Sequence, residues 1–321
     1  MRVLITRPVP DYVTAPIKAA GHEVIMPSVD TAEATLAIVA ATKEFQGIIP
    51  MLTNKIDGPF LDAHPALKAV ANMAVGYNNI DVPACTARNV GCSNTPGVLN
   101  NATAEIAFSL LLATARRTGE SERYLRAGKW TGWGAADFIG VDVCGQTLGI
   151  LGAGRIGSRV ARMAKGFDMK LIYCNRNKSP EMEALGATMV SMDDLFRQSD
   201  FVSVHVPLSD ATRYLVGAKQ FALMKPTGIL INTSRGAVVD EAALVEALKS
   251  RRIYSAGLDV YEHEPKLAPG LADLENAVLL SHIGSATAQT RQKMGELAAA
   301  NLVAMLAGKK PPTPLNPEIW K

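Results

Sequence analysis

The sequence has little of what marks disulfide-stabilised, metal-binding or nucleic-acid-binding proteins. Its 321 residues include only four cysteines and five histidines, and no two cysteines have the spacing of a C-x-x-C pair or of a zinc site. The net charge is only +3, and no block of lysine and arginine favours nucleic-acid binding. We therefore predict reduced thiols, as is typical of a cytoplasmic protein, with no metal ion and no nucleic-acid partner.

Long apolar segments are lacking as well. The nearest approach to a membrane span, residues 106–113, is far shorter than the roughly 20 residues that cross a bilayer, and it fits a buried helix. The apolar residues near the start are too few for a signal peptide and predict a β-strand instead. With 48% hydrophobic and 20% charged residues, the chain is predicted to be a globular enzyme that contacts no membrane.

The most informative stretch is a glycine-rich turn at residues 152–157. The apolar run 148–151 leads into Gly152-Ala153-Gly154-Arg155-Ile156-Gly157, and a helix-compatible segment and a second apolar run, 170–174, follow. In a strand–turn–helix–strand unit, such glycines permit the tight turn, the approach of the backbone to a pyrophosphate and the close packing of the helix. Because the flanking periodicities agree, the motif predicts dinucleotide binding rather than an isolated glycine-rich turn.

The end of the second strand of this unit has no acidic residue. An NAD site usually places Asp or Glu about 20 residues beyond the glycines, on the ribose 2′-hydroxyl, whereas this chain has Asn175, Arg176, Asn177 and Lys178. Without a carboxylate there is no repulsion of a 2′-phosphate, and the guanidinium of Arg176 can bind one. We predict a preference for NADP(H), with NAD(H) as the alternative cofactor; a solvated basic loop is the competing interpretation.

Strands alternate with helices along most of the chain, which predicts parallel sheets covered on both faces. The first hundred residues form one small α/β layer, with strands predicted at 2–6, 22–26, 47–51 and 68–74. The alternation resumes at the glycine motif, with later strands predicted at 200–205, 228–232, 255–259 and 278–281. The final helix, 287–306, is expected to return to the first domain because the second sheet is already full.

Two segments between these layers differ from the rest. Residues 100–117 are predicted to form a long helix that bridges the domains. Residues 118–146 are predicted to be irregular, and they contain Trp130, Trp133 and Phe138. Two tryptophans on a projecting segment suggest a surface that a partner subunit buries; alternatively, they cover the core of their own domain.

Three side chains with catalytic chemistry follow the ends of predicted strands, where ligands of open α/β sheets bind. Arg235 could bind the carboxylate and carbonyl oxygen of a 2-oxo acid. His282 could protonate the oxygen after hydride transfer, or accept the proton in the reverse direction. Glu264 could orient the imidazole and favour its charged form, a role for which Glu262 is the competitor. Together the three predict a hydride-transfer site for 2-oxo acids.

The blocks that carry these residues resemble the D-isomer-specific 2-hydroxyacid dehydrogenases over essentially the whole chain. Besides the glycine motif, the blocks are Val75-Gly76-Tyr77-Asn78-Asn79-Ile80-Asp81, Asn232-Thr233-Ser234-Arg235-Gly236, Gly257-Leu258-Asp259-Val260-Tyr261-Glu262-His263-Glu264-Pro265 and His282-Ile283-Gly284-Ser285. The catalytic Arg, Glu and His of the family fall on Arg235, Glu264 and His282. The basic loop at Asn175 and Arg176 is similar to that of the glyoxylate/hydroxypyruvate reductase branch.

The resemblance implies two Rossmann-like, doubly wound α/β domains and a homodimer. The substrate domain is expected to be discontinuous, residues 1–98 and 285–321, around an NAD(P)-binding domain, residues 99–284, whose dimerisation arm spans about 118–146. The predicted cofactor contacts are Val75, Thr103, Gly152, Gly154, Arg155, Ile156, Gly157, Asn175, Arg176, His205, Pro207, Thr212, Thr233, Ser234, Arg235, Asp259, His282 and Gly284. The predicted substrate contacts are Leu52, Val75, Gly76, Arg235 and His282.

The function predicted from these observations is NADPH-dependent reduction of glyoxylate and hydroxypyruvate. Within the same class, a dehydrogenase of 3-phosphoglycerate is disfavoured, because the sequence has no additional basic cluster that could bind a substrate phosphate. A dehydrogenase of a bulkier 2-oxo acid is an alternative that the sequence does not exclude. Outside the class, the alternative is a nucleotide-sensing binding protein of the same fold, since a fold alone does not establish a function.

Overall fold

The computed structural model describes residues 1–320, which divide into two compact units. The first consists of Met1–Leu99 and the C-terminal segment from Ala286, and the second of Asn100–Ser285. Each unit is an α/β layer built on one fully parallel sheet, so the predicted fold class is confirmed. The four cysteines are free thiols. Within residues 1–320, no helix combines the length and the apolar composition needed to span a membrane.

The first unit contains a five-stranded sheet in the order β2-β1-β3-β4-β5. Its strands are β1 (Arg2–Ile5), β2 (Glu23–Ile25), β3 (Gly47–Ile49), β4 (Ala69–Ala71) and β5 (Gly91–Ser93). Its first four helices are α1 (Asp11–Ala19), α2 (Ala32–Ala41), α3 (Gly58–Ala63) and α4 (Val82–Ala87). Successive residues of β1 enter different cores, Val3 and Ile5 on one face and Leu4 on the other, because side chains alternate along a strand.

The second unit contains a seven-stranded sheet in the order β12-β11-β10-β9-β6-β7-β8. Its strands are β6 (Thr147–Leu151), β7 (Lys170–Cys174), β8 (Thr188–Met189), β9 (Phe201–Val204), β10 (Ile229–Asn232), β11 (Ser255–Leu258) and β12 (Ala277–Leu279). Its helices are α5 (Asn100–Ala115), α6 (Thr118–Arg126), α7 (Arg155–Ala164), α8 (Pro180–Ala184), α9 (Met192–Gln198), α10 (Ala218–Leu223) and α11 (Glu241–Lys249).

The C-terminal helix, α12 (Ala288–Leu306), packs against α1, β3 and β4 of the first unit. Thr287 caps it by accepting a hydrogen bond from the backbone N–H of Thr290 over 3.1 Å. The prediction that this helix returns to the first layer is therefore confirmed. Helix α11 is capped in the same way, because Asp240 accepts a hydrogen bond from the N–H of Ala243 over 3.0 Å.

One prediction for the segment 118–146 was wrong. Its first part is not irregular but forms the nine-residue helix α6, none of whose residues is buried. Two hydrogen bonds from the guanidinium of Arg117 to the carboxylate of Glu120, at 2.8 and 2.7 Å, tie the start of this helix together, and pairs three residues apart stabilise helices. Apart from Gly119, the glycines and both tryptophans of the segment lie beyond α6, where no regular element forms.

Candidate active site

The glycine turn between β6 and α7 is closed by contacts that leave no room for a side chain. Gly152 has a φ of +98°, and a Cβ there would lie 2.8 Å from the carbonyl carbon of His205. A Cβ at Gly157 would lie 2.3 Å from the carbonyl oxygen of Gly152. These two positions require glycine, one for its conformation and one for close packing.

The remaining residues of the motif form an open helix start. Helix α7 begins at Arg155, and Gly154 is its N-cap. A Cβ at Gly154 would meet no atom within 4 Å, so the space in front of this ten-residue helix is open. The first N–H groups of a helix have no partner within the helix and attract anions. The turn therefore fits the pyrophosphate of a dinucleotide, with Arg155 and the half-buried Ile156 on its first turn.

The loop that follows β7 is held by its own polar contacts. The side-chain amide of Asn175 donates to the carbonyl of Asn177 over 3.0 Å. The buried hydroxyl of Tyr173 accepts a hydrogen bond from the N–H of Ser179 over 3.1 Å. Between these anchors Arg176 is exposed, so the loop presents a cation where the sequence predicts the ribose 2′-position.

The loop after β9 contains three further predicted cofactor contacts. His205 places its Nε2 2.8 Å from the hydroxyl of Ser203, and burial lowers the pKa of His205 to about 3, so this imidazole is neutral in the physiological range. The hydroxyl of Thr212 donates to the carbonyl of Pro207 over 2.6 Å and accepts from the N–H of Ser209 over 2.8 Å. The Thr212 hydroxyl therefore closes the loop on Pro207.

The hydroxyl of Thr233 is a buried polar group without a partner. The residue follows β10 directly and is 7% exposed, and among the described residues nothing bonds its Oγ1. Leaving a buried hydroxyl unpaired costs about 1–3 kcal/mol, and such groups in native proteins usually have a partner or a ligand. Thr233 and the open helix start thus fit a bound dinucleotide.

Asp259 fixes the chain around position 283. Its carboxylate accepts hydrogen bonds from the backbone N–H groups of Ile283 and Gly284, both over 2.7 Å. Burial raises the pKa of Asp259, and these two bonds oppose the rise. A Cβ at Gly284 would lie 2.9 Å from the Asp259 carboxylate and 3.5 Å from the side chain of Thr103. Asp259, Gly284 and Thr103 therefore form one packed group.

The structure pairs Glu264 with His282. The Nδ1 atom of His282 lies 2.8 Å from Oε2 of Glu264, and Oε1 of Glu264 accepts a hydrogen bond from the N–H of Tyr261 over 3.0 Å. His282 has a φ of +57°, which is uncommon for residues other than glycine. The Asp259 bonds to the next two residues hold this conformation, and strained backbone of this kind clusters at functional sites.

The protonation states of the pair follow from its surroundings. Burial raises the pKa of Glu264, but the hydrogen bond and charge of His282, the N–H of Tyr261 and the charge of Arg235 together hold the pKa below its ordinary value. Glu264 is therefore ionised near neutral pH and only accepts hydrogen bonds. The proton between the two residues consequently lies on Nδ1 of His282, which leaves Nε2 to exchange a proton with a substrate.

The guanidinium of Arg235 lies close enough to the carboxylate of Glu264 for their charges to interact. Its Nη1 donates to the carbonyl of Ser234 over 2.7 Å. Burial lowers the pKa of Arg235, and the charge of Glu264 opposes this effect. The competitor Glu262 lies elsewhere: its carboxylate accepts a hydrogen bond from the hydroxyl of Tyr214. The partner of His282 is thus Glu264.

Two of the predicted substrate contacts of the first unit, Val75 and Gly76, lie on a turn that two asparagine side chains hold by hydrogen bonds. The amide of Asn72 donates to the carbonyl of Gly76 over 2.9 Å, and the amide of Asn94 donates to that of Val75 over 2.7 Å. Leu52 lies in the loop after β3, which Asn54 closes by accepting a 3.0 Å hydrogen bond from the N–H of the preceding Met51.

Several of the residues that shape these turns have no recognisable signal in the sequence. Asn94, Glu241 and Tyr261 hold the predicted site segments through contacts with residues 19 to 21 positions away in the chain, whereas Asn72 does so through a residue four positions away. Asn72 directly follows the short apolar strand β4, but that position alone does not indicate a role in the site.

The comparisons with known proteins agree with this geometry. Residues 108–284 match the family model of the D-isomer specific 2-hydroxyacid dehydrogenase, NAD binding domain. The chain is 47% identical to a glyoxylate reductase from Thermococcus litoralis over 287 residues, which cover 88% of this chain and 87% of the relative.

Solved structures of similar proteins extend the match to nearly the whole chain. A protein from Thermus thermophilus has a TM-score of 0.90 and 40% identity, covering 98% of this chain and all of that one (100%). An NADPH-dependent glyoxylate/hydroxypyruvate reductase from Sinorhizobium meliloti, in complex with NADP and malonate, has a TM-score of 0.86 and 34% identity, covering 98% of this chain and 96% of that one. The resemblance seen in the sequence is confirmed: the chain belongs to the D-isomer-specific 2-hydroxyacid dehydrogenase family and is an NAD(P)-dependent oxidoreductase.

Proposed function

We propose that the protein reduces glyoxylate and hydroxypyruvate to the corresponding 2-hydroxy acids and prefers NADPH as the hydride donor. The observation that carries the proposal is the Glu264–His282 pair beside Arg235, in the same unit as the glycine turn. A nicotinamide bound to that unit would supply the hydride. The relatives named glyoxylate reductase support a small 2-oxo acid as the substrate.

The protein side chains would divide the work on the substrate. Arg235 would bind the carboxylate and the carbonyl oxygen by charge-assisted hydrogen bonds, which fixes and polarises the carbonyl group. As the carbonyl carbon accepts the hydride, Nε2 of His282 would give its proton to the carbonyl oxygen. Glu264 would stabilise the charged imidazolium before this transfer and keep the ring oriented afterwards. In the first unit, Leu52 and the backbone N–H groups of Val75 and Gly76 are the proposed substrate contacts.

The assay that tests this function follows NADPH absorbance with three substrates: glyoxylate, hydroxypyruvate and a bulkier 2-oxo acid. We expect turnover with the first two and a lower kcat/KM with the third. Preference for the bulkier acid would transfer the proposal to another substrate of the same class. A folded protein that binds NADPH but turns over none of the three would support a nucleotide-sensing role instead.

The preference for NADPH leads to a prediction on Arg176. We expect Arg176→Ala to raise the KM for NADPH by about 10- to 100-fold, because a hydrogen bond to a charged group contributes roughly 1.5–3 kcal/mol. The KM for NADH should change by less than about twofold, since NADH has no 2′-phosphate for Arg176 to bind. The measurement is steady-state kinetics with both cofactors.

Lys178→Ala is the matched control, because Lys178 is an exposed cation on the same loop whose Nζ lies 3.7 Å from a carboxylate oxygen of Glu183. It should leave the ratio of the two KM values nearly unchanged. An equal loss for NADPH and NADH in Arg176→Ala would show that the guanidinium does not bind the 2′-phosphate.

We also propose that the arm at 118–146 forms a homodimer interface. Trp130 and Trp133 are 58% and 86% exposed in the single chain, and exposed aromatic clusters mark protein–protein interfaces. We expect Trp133→Ser to shift the mass measured by light scattering at micromolar concentration from dimer towards monomer. Leu36→Ser is the control, because Leu36 is 70% exposed but lies in α2. A dimeric Trp133→Ser protein, or a monomeric wild type, would contradict the assignment.

A further inference from the structure

The turn that carries Glu264 rests directly on the chain that follows Arg235. Gly236 is buried, and a Cβ there would lie 1.9 Å from the carbonyl carbon of Tyr261 and 2.1 Å from the backbone nitrogen of Glu262. No side chain fits between the two segments. The backbone next to Arg235 and the peptide between residues 261 and 262 are therefore in contact, and a shift of one displaces the other.

A second contact ties the same peptide to helix α11. Glu241, the first residue of α11, is only 5% exposed, and its Oε1 accepts a hydrogen bond from the backbone N–H of Glu262 over 2.7 Å. Burial raises the pKa of Glu241, and the N–H of Glu262 opposes this rise. A buried carboxylate is costly unless it is hydrogen-bonded, and the N–H of Glu262 supplies one such hydrogen bond.

Tyr261 connects the same turn to both members of the catalytic pair through two hydrogen bonds. Its backbone N–H donates to Glu264, and its hydroxyl donates to the carbonyl of Leu280 over 2.7 Å, two residues before His282. The turn 261–264 thus connects the segment before His282 with the carboxylate that orients its ring. The hydrogen bond from the N–H of Glu262 to Glu241 fixes this turn from the other side.

We propose that Glu241 is a positioning residue for the reaction: by binding the N–H of Glu262, it holds the turn that keeps Glu264 on Nδ1 of His282. The kinetic part of this inference rests on the function proposed above. In this role, the position of the acceptor oxygen relative to the N–H of Glu262 matters, and the charge of the Glu241 side chain does not. Variants that change the length and the charge of the side chain separately therefore test the role.

Glu241→Asp keeps the charge and suits the first turn of a helix, but its carboxylate is about 1.5 Å shorter in reach. Glu241→Gln loses the charge but keeps an oxygen at the same distance. We expect Glu241→Asp to lower kcat by about 10- to 100-fold, because a misplacement of about 1 Å in a catalytic group costs on the order of 100-fold. Glu241→Gln should stay within about threefold, and the KM for NADPH should change less than about twofold in both.

Glu246→Asp is the control, since Glu246 is exposed on the same helix. It should match the wild type in kcat and in thermal stability. If Glu241→Asp were as active as the wild type, or if Glu241→Gln lost as much kcat as Glu241→Asp, the positioning role would be overturned.

A readout that needs no turnover separates this inference from the proposed function. The proton on Nδ1 of His282, bonded to a carboxylate, should give a low-field proton NMR resonance, assigned by its loss in Glu264→Gln. We expect the resonance to persist in the wild type, Glu241→Gln and Glu246→Asp, and to broaden or vanish in Glu241→Asp. An unchanged resonance in Glu241→Asp refutes the positioning role, whereas a wild type without turnover refutes only the proposed function.

Discussion

Replacing His282 with alanine is expected to lower kcat for glyoxylate reduction by about 100- to 10,000-fold, the range that general acid–base catalysis contributes. Nε2 of His282 is the atom that the Glu264 pairing leaves to give a proton to the substrate oxygen, and alanine has no group to replace it. The dissociation constant for NADPH should change by less than about twofold, because most of the proposed cofactor contacts, among them the glycine turn, Asn175 and Arg176, lie outside position 282. Single-turnover kinetics and fluorescence titration with NADPH measure the two quantities separately.

Two further variants decide whether this loss is chemical. His282→Asn tolerates the left-handed backbone of this position better than alanine, so it should keep wild-type stability and show a similar loss of kcat. His263→Ala changes an exposed histidine of the neighbouring turn, whose side chain is 78% exposed, and should be close to the wild type. If NADPH binding were lost together with kcat in His282→Asn, His282 would be a structural residue.

The fold class predicted from the sequence is confirmed, and the structure pairs two of the three candidate catalytic residues, Glu264 and His282. Arg235, Glu264 and His282 could be predicted because each follows a strand of a parallel sheet, and the carboxyl ends of such strands meet at one edge. The pairing of Glu264 rather than Glu262 with His282 depended on the resemblance to a family, because two acids two residues apart have the same chemistry.

What the sequence could not predict has three physical causes. Strand β8 has only two residues, which is too short for a periodicity to appear, and β5 consists of a glycine, a cysteine and a serine, which form no apolar run. Helix α6 has no buried residue, so it has no apolar stripe to indicate it. The contact of Glu241 with Glu262 joins residues 21 positions apart, and an acid after an N-cap predicts only a favourable helix start. Contacts of this kind depend on how two loops pack.

Arg235→Lys is expected to lower kcat/KM for glyoxylate by about 100- to 1000-fold, the cost of losing one group that stabilises developing charge. Lysine keeps a positive charge, but it cannot bind a carboxylate and a carbonyl oxygen through two parallel N–H groups. The loss should appear in both kcat and KM, because the guanidinium is proposed to hold the substrate before and during hydride transfer. Arg251→Lys, at an exposed arginine of the same unit, should have no measurable effect.

The pH dependence of Arg235→Lys tests whether burial acts on this position as the structure indicates. Burial lowers the pKa of the cation at position 235, with the charge of Glu264 opposing it, and a buried lysine loses its proton far more readily than an arginine. Since a lowered pKa means that the charge is lost as pH rises, kcat/KM of the variant should decline at a lower pH than that of the wild type. Arginine stays charged throughout this range, so the wild type should show no such decline from this residue. Parallel pH profiles for the two enzymes would mean that the cation at 235 is solvated in the working enzyme, and the bidentate binding of substrate by Arg235 would then have to be abandoned.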